Sequence, residues 1–311
     1  PVRRVSVLSN EPVEVEPVAP LSILLGRRLV GLTGPLRKAL QLARRLTALE
    51  LGIVLPPVPV HESLGMAPNA YSIRLRGMEI AAGVIPPGRK LAADPAAQHA
   101  GHWSEIPLAA GVWIAPSWSQ SVQDQEMLVL EPDEAIAANL MQVVRRAGHE
   151  LLGLEDTHRL VEVVRRRAPV LVNEVIPNRV SERELWAILR DLLRERIPIR
   201  DFERILQVIA EKAQVDTDRT FLVEALRSEL LDWLRPELRE QGAPPIRVGS
   251  WELADRFGEI LDRIEGAASG RRTVVVARDR RLVSQLLRRH LDELLVLSEQ
   301  EWERLRAPMA F

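Results

Sequence analysis

Cysteine is absent from this 311-residue chain, so neither disulfide staples nor thiolate metal sites are open to it. Net charge is almost absent too. The 42 Lys and Arg are set against 43 Asp and Glu, a formal charge of −1, so no global field draws the chain to nucleic acid or an anionic lipid surface. Long apolar runs are missing. Stretches such as LGIVLPPVPV, Leu51 to Val60, are short and broken by proline, whereas a bilayer-spanning helix needs about 20 predominantly apolar residues. There is no charged-then-apolar leader, internal repeat or low-complexity tract. There is also no nucleophile elbow, HExxH or dinucleotide fingerprint, so the enzyme classes that use them find no footing here. What remains is 46% hydrophobic and 27% charged, an ordinary globular composition on a chain long enough for two or more domains with real cores.

The strongest pattern lies between Ser181 and Glu211. Ser181 and Glu184 have capping-box spacing, each able to satisfy an amide that the first turn of a helix leaves unpaired. Leu185, Trp186, Leu189, Leu192 and Leu193 then share one face. Pro198 lacks the N–H that a helix interior needs, so this helix is expected to stop before it. A second helix follows Asp201, with Phe202, Ile205, Leu206 and Ile209 as its stripe. No reactive group interrupts either stripe, which marks a packing unit and not a reaction centre.

Around this unit the organisation changes several times. Residues 1–20 contain proline, valine and glutamate without a sustained period and read as an extended linker. Pro35 fits the first turn of a helix whose apolar face is Leu36, Leu40, Ala43 and Leu46. Strands are expected at Ile53 to Val60 and at Tyr71 to Leu75, and a helix at Glu134 to Leu152 with Ile136, Leu140, Val143 and Val144 on one side. Between Gly83 and Glu131, proline, alanine, histidine and three tryptophans replace helical periodicity, as expected of a small insertion. Helix follows helix from about Glu155 to Leu234. After the Gly242 to Pro245 break, Thr273 to Ala277, Arg280 to His290 and Leu294 to Leu297 read as strand, helix and strand. That order favours a parallel pair with a right-handed crossover.

Four features carry possible chemistry. His99 and His102, near Asp94 and Glu105, have a spacing that can share a metal, but no third strong ligand is matched and the intervening glycine argues for a loop. Gly31 to Pro35 precedes a helix as a phosphate cradle would. Lys38 is misplaced for that role and Pro35 has no amide to offer, so a plain turn is expected. Arg165 to Arg167, and Arg278, Arg280, Arg281, Arg288 and Arg289, read as solvated helix faces, with a protein-contact surface as the rival reading. Trp103, Trp113 and Trp118 cluster in the insertion. Trp113 is expected in a core, within a Val112 to Ile114 strand, and Trp118, between two serines, is expected exposed.

The run LLRERIPIRDFERILQVIAE resembles the signature of the FlhA family, export-gate components of flagellar type III secretion related to injectisome SctV proteins. Four further segments agree in the family's order: LGIVLPPV with Pro68 to Tyr71 and RLRGMEIAAG; ELLG from Glu150; APVLVNEVIP from Ala168; and VVVARDRRLVSQLLRRHLDELLVLS from Val274. LGIVLPPV and PNAY favour the flagellar branch over the injectisome. With the pattern above, the resemblance implies an α+β multidomain fold of four subdomains. These are a discontinuous α/β unit at 21–82 and 132–152, a small α/β insertion at 83–131, an all-helical unit at 153–234, and a C-terminal α/β unit at 235–311 with its strand-helix-strand. Residues 1–20 would link to a membrane region outside this chain, and the opening on Pro1 fits an excised soluble fragment.

The family implies no enzyme, cofactor or nucleic acid. It implies a docking platform at the cytoplasmic face of the bacterial inner membrane, ring-forming and nonameric when attached to the membrane domain. Its expected partners are export substrates, their chaperones and other export-apparatus subunits. The family's chaperone dimple uses an Asp and a Phe before a GVWI-like strand and a Thr at a helix start, where this chain carries Ser104, Pro107 and Ala138. A charge, an aromatic anchor and a hydroxyl are thereby lost. Either the partners differ, or the groove uses Val112, Trp113, Trp118, Asn139 and Met141. A metal-dependent regulator built on His99 and His102, and a purely structural ring-former, are the rival readings.

Overall fold

A computed structural model describes residues 18–93, 111–124, 127–231, 245–249, 255–267, 273–287 and 294–306. The first sheet has the order β2-β1-β3-β4, from β1 (Leu21–Leu25), β2 (Val60–Glu62), β3 (Ala70–Leu75) and β4 (Met78–Val84). β1 and β2 are parallel, joined across α1 (Thr33–Leu51), and the other pairings are antiparallel. The period-2 pattern sets the register. Leu21 faces Leu75, Ile23 faces Ile73 and Leu25 faces Tyr71, and all six are buried. The strand expected from Ile53 begins only at Val60. Pro56, Pro57 and Pro59 cannot donate to a ladder, and Ile53 and Leu55 reach the core from irregular backbone instead. On α1, Leu36, Leu40 and Ala43 are buried as expected, with one departure at the C-terminal end. Thr47 is buried where Leu46 was expected, its hydroxyl donating to the Ala43 carbonyl at 2.8 Å.

A second, antiparallel sheet of order β6-β5-β7 is built from β5 (Lys90–Ala93), β6 (Val112–Ile114) and β7 (Leu128–Leu130), with α2 (Ser119–Gln123) between the last two. α3 (Pro132–Leu151) serves both sheets. Ala135 and Ala138 close the small core with Leu91, Ala93 and Leu130, while Ile136, Leu140, Val143 and Val144 enter the large one. A helix shared between two cores ties the insertion to its host.

The helical array consists of α4 (Leu154–Arg165), α5 (Pro169–Val175), α6 (Glu182–Arg194), α7 (Phe202–Lys212) and α8 (Arg219–Leu230). Ser181 and Glu184 form the expected capping box: the Glu184 amide donates to Ser181 Oγ at 3.1 Å and the Ser181 amide to Glu184 Oε2 at 2.8 Å. Asp201 and Asp218 cap the next helices. α6 buries Leu185, Ile188, Leu189, Leu192 and Leu193. Trp186 lies at the rim of this stripe, half-buried, its indole N–H donating to the Leu152 carbonyl at 2.9 Å. α6 stops before Pro198 is reached. Arg196 adopts the left-handed conformation, and the Ile197 and Arg196 amides turn back to the Leu192 and Leu193 carbonyls, both at 2.9 Å. One continuous apolar core runs from Leu21 in the first sheet to Leu230 in α8.

The third sheet is wholly parallel, of order β10-β9-β8, from β8 (Ile246–Val248), β9 (Thr273–Ala277) and β10 (Leu294–Leu297). α9 (Phe257–Ala267) and α10 (Arg280–Leu287) make its crossovers, and α11 (Glu299–Arg306) follows. β9 and β10 are buried along their whole length, as expected of an apolar run covered on both faces. Arg280 departs from its expected solvated position. It is 5% exposed, and its guanidinium is turned inward onto carboxylates. Among the described residues, no helix is long and apolar enough to cross a membrane.

Candidate functional site

The residues expected to border a groove sit on β6, on the turn after it and on α3. From the second sheet, β6 contributes Trp113, which is half-buried and packs against both apolar cores. Its neighbour Val112 is 63% exposed. The chain then turns through Pro116 to Trp118, and the Trp118 ring is left 65% exposed. An exposed tryptophan and an exposed valine six residues apart are costly in water and favourable against a partner.

From α3 the picture is different. Ala138 and Met141 point into the interior, 1% and 3% exposed, and present no surface to a partner in this conformation. The reason is the double duty of α3, whose flanks are taken by the two cores. Asn139 is half-buried, its amide donating to the Tyr71 hydroxyl at 2.7 Å. Burial pushes the Tyr71 phenol up from its ordinary value, and the Asn139 hydrogen bond partly offsets this. Gly83 makes room for the tyrosine ring: a Cβ there would lie 2.6 Å from it. Ser104, Pro107, Trp103, Asp94, His99, His102 and Glu105 lie outside the described residues. Among the described residues, no three His, Asp or Glu gather as metal ligands would.

The first turns of α1 and α3 border a cleft of about 610 Å³, lined by Gly34, Pro35, Lys38, Ala39, Leu42, Asp133 and Glu134. Gly31 and Gly34 face open space there, so the turn needs neither glycine for a closely held ligand. The opposite charges of Lys38 and Asp133 give this cleft no single-sign field. Reading along the chain missed a third feature, the outer strand β4, where Met78, Ile80 and Val84 are exposed. Its RLRGMEIAAG segment carried the apolar residues, but only the strand order shows that they sit at an edge.

The fold is a multi-unit α+β scaffold that leaves apolar side chains exposed at Val112, Trp118 and the outer strand β4. The FHIPEP family model matches residues 5–246, and the chain belongs to that family. It is 30% identical over 209 residues to the flagellar biosynthesis protein FlhA of Bacillus subtilis, covering 63% of this chain and 30% of that protein. With FlhA of Yersinia enterocolitica it shares 29% over 319 residues, 91% of this chain and 46% of the relative. The chain therefore spans less than half the length of these curated relatives. Among solved structures, the Chlamydia pneumoniae CdsV protein superposes with a TM-score of 0.75 at 20% identity, over 93% of this chain and 96% of that one. The nonameric SctV-C of enteropathogenic Escherichia coli (EPEC), solved by cryo-EM, gives 0.69 at 17% identity, over 92% and 96%. At such identities the likeness establishes the fold.

Proposed function

We propose that this chain is a docking platform of a flagellar type III export gate, receiving export substrates and their chaperones at the cytoplasmic face of the inner membrane. The observation that carries this reading is the family match over residues 5–246, joined to the exposure of Trp118 and Val112. The units that take part are the four subdomains expected from the chain, at 21–82 with 132–152, 83–131, 153–234 and 235–311. The three separate sheets and the helical array support that division. Contact with the membrane is made through a region outside this chain.

Assembly into a ring, nonameric on the membrane domain, is supported by the nonameric state of the SctV-C neighbour. A further neighbour is a complex of CdsV with CdsO, which supports contact with other export-apparatus subunits. Its TM-score to this chain is 0.77. The fold neighbours also favour a second reading, an injectisome gate, which differs in cargo and not in chemistry.

The test is a titration of the purified chain with flagellar chaperones, free and loaded with substrate, and with injectisome chaperone complexes in parallel. Binding of the flagellar set, weakened roughly tenfold or more by Trp118→Ala, is expected. Binding of the injectisome set alone selects the second reading. Capture of no partner in any loading state removes the docking role.

A further inference from the structure

The helical array and the C-terminal sheet meet through charge. Arg227 of α8 has no exposed surface. Its Nε donates to Glu301 of α11 at 2.7 Å, one terminal nitrogen to Glu195 just beyond α6, and the other to the Val296 carbonyl of β10 at 2.8 Å. Arg280, opening α10, donates to the same Glu195 oxygen at 2.7 Å and to Glu224 of α8, with Glu301 3.9 Å from its Nε. Two arginines thus face three carboxylates, and both arginines share Glu195 and Glu301. Glu301 is fixed a second time, because its Oε2 accepts from the Ser298 amide at 2.7 Å as half of a capping box.

Among the described residues, apolar contact across this seam is thin. The large core ends at Leu230, and the C-terminal sheet closes its own core between Val248 and Val296. In the cluster that bridges them, Leu231 is the one described residue from the helical side, against Val274, Val276, Leu295, Leu297 and Leu305. The two larger clusters share no described residue. Removing one member of a buried ion pair leaves a charge that must be hydrated, and Arg227, which has no exposed surface, reaches water by an opening of the seam. Because the carboxylates are shared, the cluster closes or opens as a whole.

We propose that this ion cluster is a latch: it holds the C-terminal α/β layer in one position on the helical array, and when broken it lets that layer swing away as an intact body. The inference does not depend on which partners the chain takes.

Hydrogen exchange on the whole chain, with small-angle scattering, tests it. Glu301→Gln keeps the helix cap, since glutamine can serve at that position, but removes the charge. Exchange in residues 224–231 and 294–305 is expected to rise roughly tenfold or more and the radius of gyration to increase, with β9 still protected. Glu224→Gln, at the solvent-facing arm, should give a smaller change of the same kind. The apolar pair Arg227→Met with Glu301→Leu should restore slow exchange. Unchanged exchange in both glutamine variants overturns the proposal, as does loss of protection throughout β8 and β9, which would mean that the layer unfolds in place of swinging. If Glu301→Gln fails to fold, Glu224→Gln decides: faster seam exchange supports the latch, and no change overturns it.

Discussion

Two seams divide this chain, and they are built from opposite materials. At the first, between the leading α/β unit and the helical array, apolar side chains run through without interruption. Backbone and side-chain donors then stitch the two together: the Ile199 amide donates to the Leu51 carbonyl at 2.8 Å, and Arg190 Nε to the His149 carbonyl at 2.7 Å. At the second seam, among the described residues, one leucine, a set of buried charges and a hydrogen bond from Arg304 to the Ser228 carbonyl do the joining. A continuous core resists separation in proportion to its area, because every opening exposes apolar surface. A buried ion cluster contributes little net stability but tolerates only one geometry. The first seam therefore makes one body of two units, and the second sets a register between bodies. In the proposed latch, the movable joint lies where charge replaces apolar contact.

The sharpest way to break this comparison is to damage the shared core. Leu192 is fully buried, and Leu192→Asp places an unpaired charge there, at an expected cost of about 3–5 kcal/mol. Chemical unfolding should show the loss, and exchange should rise in β1 and β3 as well as in the helices. If the first sheet keeps its protection while α6 to α8 lose theirs, the first seam is not fused. Gly52→Ala probes the same seam with a smaller expected loss of about 2 kcal/mol. Gly52 ends α1 at φ +79°, and a Cβ there would lie 2.4 Å from the Arg200 amide nitrogen. A neutral substitution would mean that the two chains do not approach so closely.

Much of the fold was legible in the chain because its signals are local. The capping box at Ser181, the stripes of α6 and α7 and the apolar strands β9 and β10 each need only a few neighbouring residues to be read. What escaped was decided at long range. Arg280, in a run that looks solvated, is buried because Glu195 lies against it from 85 positions away. Asn139 finds Tyr71 across 68 positions. Ala138 and Met141 become interior because α3 lies between two sheets, and no periodicity within a single helix reveals that it serves two cores. Of the candidate surfaces, the exposure of Trp118 was readable from its serine neighbours, while the edge position of β4 was not.

Within the fused body, Ser181→Ala should cost about 1 kcal/mol at neutral pH, measured by denaturant midpoint. Hydrogen bonds from the Ser181 backbone and side chain hold the Glu184 carboxyl below its ordinary 4.5. A carboxyl whose folded value is depressed stabilises above the unfolded value, and loses that contribution as pH falls through the folded one. The penalty of Ser181→Ala should therefore shrink once pH drops below about 4.5. A penalty constant from pH 7 into acid would show that the carboxylate plays no part in the cap.

The smallest effect distinguishes the two seams by proton. His149 sits in the last turn of α3, facing Arg190 and Arg194 of α6. Burial pushes its imidazole below the usual 6.5; Arg194 and then Arg190 push the same way, and Glu150 opposes them. The unfolded chain therefore takes up the proton first as pH falls. The neutral imidazole's contribution is present above about 6.5, declines as pH drops toward the folded value, and then levels off. The second seam, made of arginines and carboxylates, shows no histidine among the contacts of its described residues given above and should not respond in this window. Exchange corrected for its intrinsic pH dependence should thus loosen at residues 186–200 below about pH 6.5 while residues 224–231 and 294–305 hold steady, and His149→Gln should flatten the first response. An equal slope at both seams, or one that survives His149→Gln, would place the titrating group elsewhere and leave the first seam as indifferent to mild acid as the second.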